Sequence, residues 1–286
     1  MNALLIRNLR VYFRDKTSVF FSLLSVFIII LLYALFLGDA WASGKMFQGR
    51  PGVRALMDNW IMAGLLAVVS VTSTMGAFGI MVDDKVRKIN KDFYSSPITR
   101  TGLTGGYILG AFVIGLIMSL VTAVFAIVYI IVRGGAFPEM LTLVKTAGLI
   151  VISSLSNTAI VLFLVSFINS SNAFGTASTL IGTLIGFLTG IYMPIGVLPP
   201  AVQTLIKFIP TSQAAALFRQ ALMEQPAKVV FAGAPGEVLS AFNETMGVTL
   251  KLGSHTITTL EHLLVLAASA VLFSLLSLWS LSRKKV

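Results

Sequence analysis

Very few side chains in this sequence could make or break a bond. It contains no cysteine, so neither a disulfide nor a thiolate metal site can be built. Its two histidines, His255 and His262, stand outside any metal-ligand spacing and are expected to be satisfied surface residues. Hydrolysis within lipid would need a nucleophile beside a base, paired carboxylates or a metal cluster. The long apolar intervals hold no Asp, Glu, Lys, Arg or His from which to assemble one. Hydroxyls in those intervals, such as Ser153, Ser154 and Thr189, more often bond to their own helix backbone than attack a substrate. No G-x-x-x-x-G-K-[ST] loop is present to cradle nucleotide phosphates. Catalytic residues, cofactors and metals are therefore expected to be absent from this chain. Ion-coupled carriers usually keep a charge inside the membrane at a cost of at least about 2.5 kcal/mol, so the same absence weakens proton- or sodium-driven transport.

The elements that would carry such residues are set by composition. Hydrophobic residues make up 56% of the 286 and charged residues 11%, against roughly 25% charged in a soluble domain, so lipid must cover much of the surface. A net charge of +10 suits nucleic acid in a soluble protein, yet Lys and Arg here flank apolar runs rather than lining one polar face. No nucleic-acid partner is expected. At about 20 residues per crossing, the sequence reads as a single transmembrane domain, 1–286, with six spans at 17–38, 59–82, 107–132, 146–168, 173–193 and 263–282. The polar run Asn169-Ser170-Ser171-Asn172 divides the fourth from the fifth. The first apolar run is followed by Ala40-Trp41-Ala42, but it exceeds the roughly 7–15 residues of a secretory h-region and is read as a retained span.

Basic residues orient the bundle. Arg7, Arg10, Arg14 and Lys16, then Lys85, Arg87, Lys88, Lys91 and Arg100, then Arg283, Lys284 and Lys285 fall on one side, which the positive-inside rule makes cytoplasmic. Both termini are then cytoplasmic and the chain is a multi-pass cell-membrane protein. Trp41 and Trp60 fall at the proposed outer edge, with Trp279 and Tyr107 at the inner one, as aromatic anchors do.

Four segments stand apart from the spans. Residues 1–16 form an amphipathic interfacial helix, with Arg7, Arg10 and Arg14 on one side and Leu5, Leu9, Tyr12 and Phe13 on the other. It is either a passive anchor over anionic lipid or an elbow transmitting motion into the first span. In the cytoplasmic segment 83–106, Val82, Val86, Ile89 and Phe93 repeat at helical spacing, an apolar face that suits lipid or a groove in a cytosolic partner. Gly182, Gly186 and Gly190 form a G-x-x-x-G-x-x-x-G ridge that admits a neighbouring helix, from this chain or a second copy; Gly106 and Gly110 repeat the spacing. In 194–222, Pro194, Pro199, Pro200 and Pro210 cut an apolar stretch into pieces too short to cross, which predicts a re-entrant helical hairpin between spans five and six. The following 223–258 reads as a small external cap with a short hairpin around Val248 to Gly253. The fold class is an all-α integral membrane protein.

These features together resemble the ABC-2 permease family, the membrane subunits of type-2 ABC exporters. RNLRVYFRDKTSVFFSLL resembles the family's basic connecting helix, with Arg14-Asp15-Lys16 where Arg-Asp-Pro is frequent. YSSPITRTGLTGGYILG resembles its segment before the third span, and MPIGVLPPAVQTLIKFIPTSQAAALFRQAL its proline-spaced re-entrant signature ending in Leu217-Phe218-Arg219. The resemblance implies a homodimer or heterodimer of permeases on two cytosolic ABC ATPases, which would bind the ATP and Mg. It implies that the loop after span two meets the ATPase, making Val86, Ile89, Phe93 and Tyr94 coupling candidates. Spans one, two and five would line an export route closed outside by the re-entrant segment, with Pro194, Pro199, Pro200, Pro210 and Arg219 as gate candidates. An uncharged route favours hydrophobic drugs or antibiotics, amphipathic peptides or lipids as cargo. A membrane scaffold or sensor without transport is the alternative, and a secondary carrier a third.

Overall fold

The computed structural model describes residues 2–33, 35, 50–95 and 98–283. The end of the first expected span, Trp41, Ser96-Pro97 and the terminal 284–286 lie outside them, as does the side chain of Tyr94.

Eleven α-helices, a 3-10 turn at Ile195–Val197 and one hairpin form among the described residues. They are α1 Asn2–Arg14, α2 Lys16–Leu32, α3 Val53–Val86, α4 Ile89–Tyr94, α5 Arg100–Val132, α6 Met140–Ser166, α7 Ser171–Leu188, α8 Pro200–Lys207, α9 Pro210–Val230, α10 Gly236–Thr245 and α11 Thr259–Arg283. A two-residue antiparallel hairpin pairs Lys251 with Thr256 and Leu252 with His255, within the stretch read as an external cap.

Among the described residues, four helices are long and apolar enough to cross a membrane: Val53–Val86, Thr101–Val132, Met140–Ser166 and Thr259–Ser280. Helices α2 and α7, at the other two expected spans, have 17 and 18 residues, about 26 and 27 Å at 1.5 Å per residue. Helix α3 has 34 residues, about 51 Å, longer than the roughly 30 Å hydrocarbon layer. It is the pillar on which α5, α6, α7 and α9 pack. It outruns the 59–82 read from hydropathy because the acids that seemed to end it are satisfied: Asp58 pairs with Arg54 at 3.4 Å, and Asp84 with Arg7.

Buried hydroxyls and one amide join the pillar to its neighbours. Asn157 Nδ2 on α6 donates to Ser70 Oγ on α3 at 2.9 Å, and Thr211 Oγ1 on α9 donates to Asn157 Oδ1 at 3.3 Å. Ser156 and Ser269 are hydrogen-bonded hydroxyl to hydroxyl at 2.7 Å, and Ser166 and Ser280 at 3.0 Å, fastening α11 along α6. Such interhelical bonds hold membrane bundles where water gives no hydrophobic drive. Thr189 does bond back to its own helix, at Ile185 O, 2.8 Å away, whereas Ser153 reaches across to Ser70.

Local chemistry starts and stops the helices. The Ser170 hydroxyl accepts from Ala173 N and Thr99 from Gly102 N, each capping the next helix. Pro200 and Pro210 each occupy the first turn of a helix, where a missing N–H costs nothing. The prolines of 194–222 therefore begin α8 and α9. Helix α9 continues beyond that segment to Val230, and Thr211 to Phe218 within it are all buried.

Candidate functional site

At the α1 end of the bundle, three helices meet on one carboxylate and a fourth packs beside its counter-ion. Leu4, Asn8 and Tyr12 recur every four residues and are the buried stripe of α1. They reach the start of α5 because glycines admit them: a Cβ on Gly106 would stand 2.6 Å from Leu4 Cβ, and one on Gly110 would stand 3.1 Å from Asn8 Cβ. Asn8 Nδ2 donates to Gly106 O at 3.2 Å. That seating brings the Arg7 guanidinium against Asp84 in a two-pronged ion pair, whose longer prong, Nη2 to Oδ1, is 2.8 Å. Tyr107 Oη on α5 donates to Asp84 Oδ2 at 2.6 Å. Bonding to Asp84 holds the Arg7 pKa above its ordinary value, outweighing the desolvation that opposes it.

The same guanidinium lies 5.5 Å from the centroid of Phe93 on α4, within cation–π range. Phe93 and Ile98 pack on Leu4, Leu103 and Tyr107. The residues beside Asp84 turn the other way: Ser171 Oγ donates to Asp83 at 3.0 Å, and Lys85 Nζ donates to Ile168 O at 3.3 Å and Asn169 Oδ1 at 2.5 Å. Three consecutive residues thus fasten the end of α3 to α1, α5 and the α6–α7 turn.

The coupling candidates divide here. Val82, Val86, Ile89 and Phe93 do not share one helix face, because α3 ends at Val86 and Lys88 turns the chain at φ 62 before α4 begins. Val86 is 42% exposed, Ile89 is half-buried and Phe93 faces its own chain. No spacing in the sequence joins Asp84 to Arg7 and Tyr107. The signal that could have found them is an acid two residues inside the end of an apolar helix, which needs a counter-charge.

At the opposite end, Arg219 on α9 is fully buried. Its Nη2 donates to Thr189 O at 2.8 Å and its Nη1 to Gly247 O at 3.4 Å, with the Trp60 ring centroid 4.9 Å away. Among the described residues it has no carboxylate partner. Gly190 and Gly247 adopt φ 70 and φ 67, which aim these turns at the guanidinium; a Cβ on Gly247 would stand 3.1 Å from Nη1. Trp60 Nε1 donates to Met246 O at 2.8 Å, so α3, α9 and both turns share one knot. His262 is also buried, donating from Nδ1 to Gln213, which corrects the surface role expected for it; His255 is exposed beside Glu261.

The glycine ridge has three separate roles. A Cβ on Gly182 would meet nothing within 4 Å, one on Gly186 would stand 2.2 Å from the Tyr192 ring, and Gly190 is the left-handed turn beyond α7. Gly186→Ala is expected to lower stability by about 1–3 kcal/mol through overpacking, with Gly182→Ala within about 0.5 kcal/mol of wild type. Thermal unfolding of both, with Tyr192→Ala restoring Gly186→Ala, checks it; equal losses in the two glycine variants would contradict the contact.

No curated protein matches the sequence. The family model for the ABC-2 type transporter matches residues 1–223, a stretch that holds the Asp84 joint and, of the Arg219 knot, Trp60, Thr189 and Arg219 itself. The chain therefore belongs to the ABC-2 type transporter family, as a multi-pass membrane permease component of the kind that associates with ABC ATPases.

Proposed function

We propose that this chain is an export permease, paired with a second permease and driven by two cytosolic ABC ATPases that bind ATP and Mg. It would have six spans, a re-entrant α8–α9 segment and both termini in the cytoplasm, in the plasma membrane. The observation that supports this most is the seating of α4: a six-residue helix hung between two long helices and gripped by Arg7 over Phe93. A push on so short a helix reaches α1, α3 and α5 through Asp84. Val86, exposed beside it, suits a groove in the ATPase.

The cargo reading rests on α7. Asn172, Thr176, Thr179 and Thr183 line one exposed side of it, beside exposed Leu180, Leu184 and Phe187. The three threonine hydroxyls bond to their own backbone, leaving a mildly polar, uncharged wall suited to a hydrophobic or amphipathic substrate. Gly182, open on that helix, leaves room for the second permease.

Inverted membrane vesicles carrying the chain with its co-expressed ABC ATPase are expected to accumulate a lipophilic dye when given ATP. Val86→Asp combined with Ile89→Asp should abolish both accumulation and co-purification of the ATPase. A wild-type complex that hydrolyses ATP without moving dye, drug or peptide would favour the scaffold or sensor reading.

A further inference from the structure

The outward face of α1 carries charges and apolar surface that the protein itself does not use. Its buried side is Leu4, Asn8 and Tyr12, and its half-buried edge is Leu5 and Leu9. Continuing round the helix come Ile6, 48% exposed, and Phe13, 37% exposed, and then a row of Ala3, Arg7, Arg10 and Arg14. That row spaces at i, i+4, i+7 and i+11, one line along a helix. With Ile6 and Val11 it lines a shallow depression of about 230 Å³. Of the three arginines, only Arg7 has a counter-ion: Arg10 and Arg14 are exposed and make no ion pair among the described residues.

Apolar side chains bordering unpaired arginines on one helix match a leaflet boundary, where acyl chains lie beside phosphate headgroups. Charge complementarity selects the headgroup. A zwitterionic lipid offers no net charge to two guanidiniums a helical turn apart, whereas an anionic phospholipid does, at about fivefold in affinity for each basic residue. Next along the same line stands Arg7, the one arginine of the row that is committed to Asp84 and stacked over Phe93.

We infer that the Arg10–Arg14 face of α1 is a binding site for anionic phospholipid, and that its occupancy is felt at α4 through Arg7 and Asp84. Lipid on Arg10 and Arg14 holds α1 down on α5, which keeps Arg7 seated and α4 ordered. Losing the lipid loosens α1 and, with it, the short helix that Phe93 anchors. Neither step needs an ATPase or a transported substrate, so the site stands or falls separately from the export reading.

The test uses the full chain in nanodiscs of phosphatidylcholine alone or with roughly 30% phosphatidylglycerol. Native mass spectrometry reads retained lipid, and hydrogen exchange reads residues 2–14 and 89–94. Wild type is expected to retain phosphatidylglycerol and to exchange several-fold more slowly in both segments when it is present. Arg10→Ala with Arg14→Ala should weaken retention by about 25-fold and remove both protections, while Arg10→Lys with Arg14→Lys keeps them. Both side chains are exposed, so an unchanged melting temperature verifies that the alanine variant is folded. Asp84→Asn should retain the lipid and the protection of 2–14 but lose that of 89–94. Equal exchange in the two lipids, full retention by the alanine variant, or protection by inorganic phosphate in phosphatidylcholine discs would overturn the site. Protection of 89–94 surviving in Asp84→Asn would overturn its transmission.

Discussion

Arg7→Ala is expected to destabilise the protein by about 2–4 kcal/mol, toward the lower part of the range for breaking a buried pair because the Arg7 side chain is 30% exposed. The loss falls mainly on its partner. Asp84 is 4% exposed and sits in the last turn of α3, where the helix dipole already disfavours a negative charge. Without the guanidinium, one Tyr107 hydroxyl is left to compensate a desolvated carboxylate. Asp84→Ala removes that burden and should cost less, about 1–2 kcal/mol, chiefly for the Tyr107 hydroxyl that loses its acceptor. The double variant should then lie close to Asp84→Ala, a coupling of about 2–4 kcal/mol in the cycle. Thermal unfolding of the three in one detergent measures it. An Asp84→Ala loss larger than that of Arg7→Ala would mean that the pair is not what holds α1 down. In the ATPase-bound complex both single variants should keep ATP hydrolysis while dye accumulation falls about tenfold, the equivalent of 1.4 kcal/mol in the step that moves the helices.

The four long apolar helices, the break between α6 and α7 and the two-residue β-hairpin were legible because each rests on neighbours in sequence: apolar runs, a polar interruption at Asn169 to Asn172, an alternation before Gly253. The joint was not, since Arg7 and Asp84 lie 77 positions apart and each alone reads as a solvated charge beside a span. Gly106 did carry a signal. Its small-residue spacing with Gly110 implies a close neighbour without naming it, and that neighbour is α1, through Leu4 and Asn8. The G-x-x-x-G ridge misled for a related reason, because the motif presumes one continuous helix and Gly190 is the residue at which α7 has already turned. Arg219 was marked by its place in a family-like pattern, but its burial without a carboxylate depends on two carbonyls, from turns 30 and 28 residues away, that no spacing rule links.

Arg219→Ala and Arg219→Met should separate what that arginine's volume does from what its charge does. Burying a guanidinium without a counter-ion costs several kcal/mol, and both variants recover that cost. Both also strip the donors from Thr189 O and Gly247 O, at about 1–3 kcal/mol for each carbonyl left unpaired. These two terms nearly cancel, so Arg219→Met, which fills most of the space, is expected to stay within about 1–2 kcal/mol of wild type. Arg219→Ala adds a cavity beside Trp60 and should lose about 3–5 kcal/mol. Global stability is therefore a poor readout of the clamp, and local opening is a better one. Hydrogen exchange at residues 189–191 and 246–248 should quicken at least about tenfold in both variants, since each 1.4 kcal/mol of lost anchoring is a factor of ten in the open population. Arg219→Lys reaches one carbonyl but not two, so it should protect only one of the turns. If Arg219→Met left exchange in both turns at the wild-type rate, the guanidinium would be filling space and clamping nothing, and this end of the bundle would be held by the Trp60 bond to Met246 and by Ile195, which lies against Gly190 and Gly247.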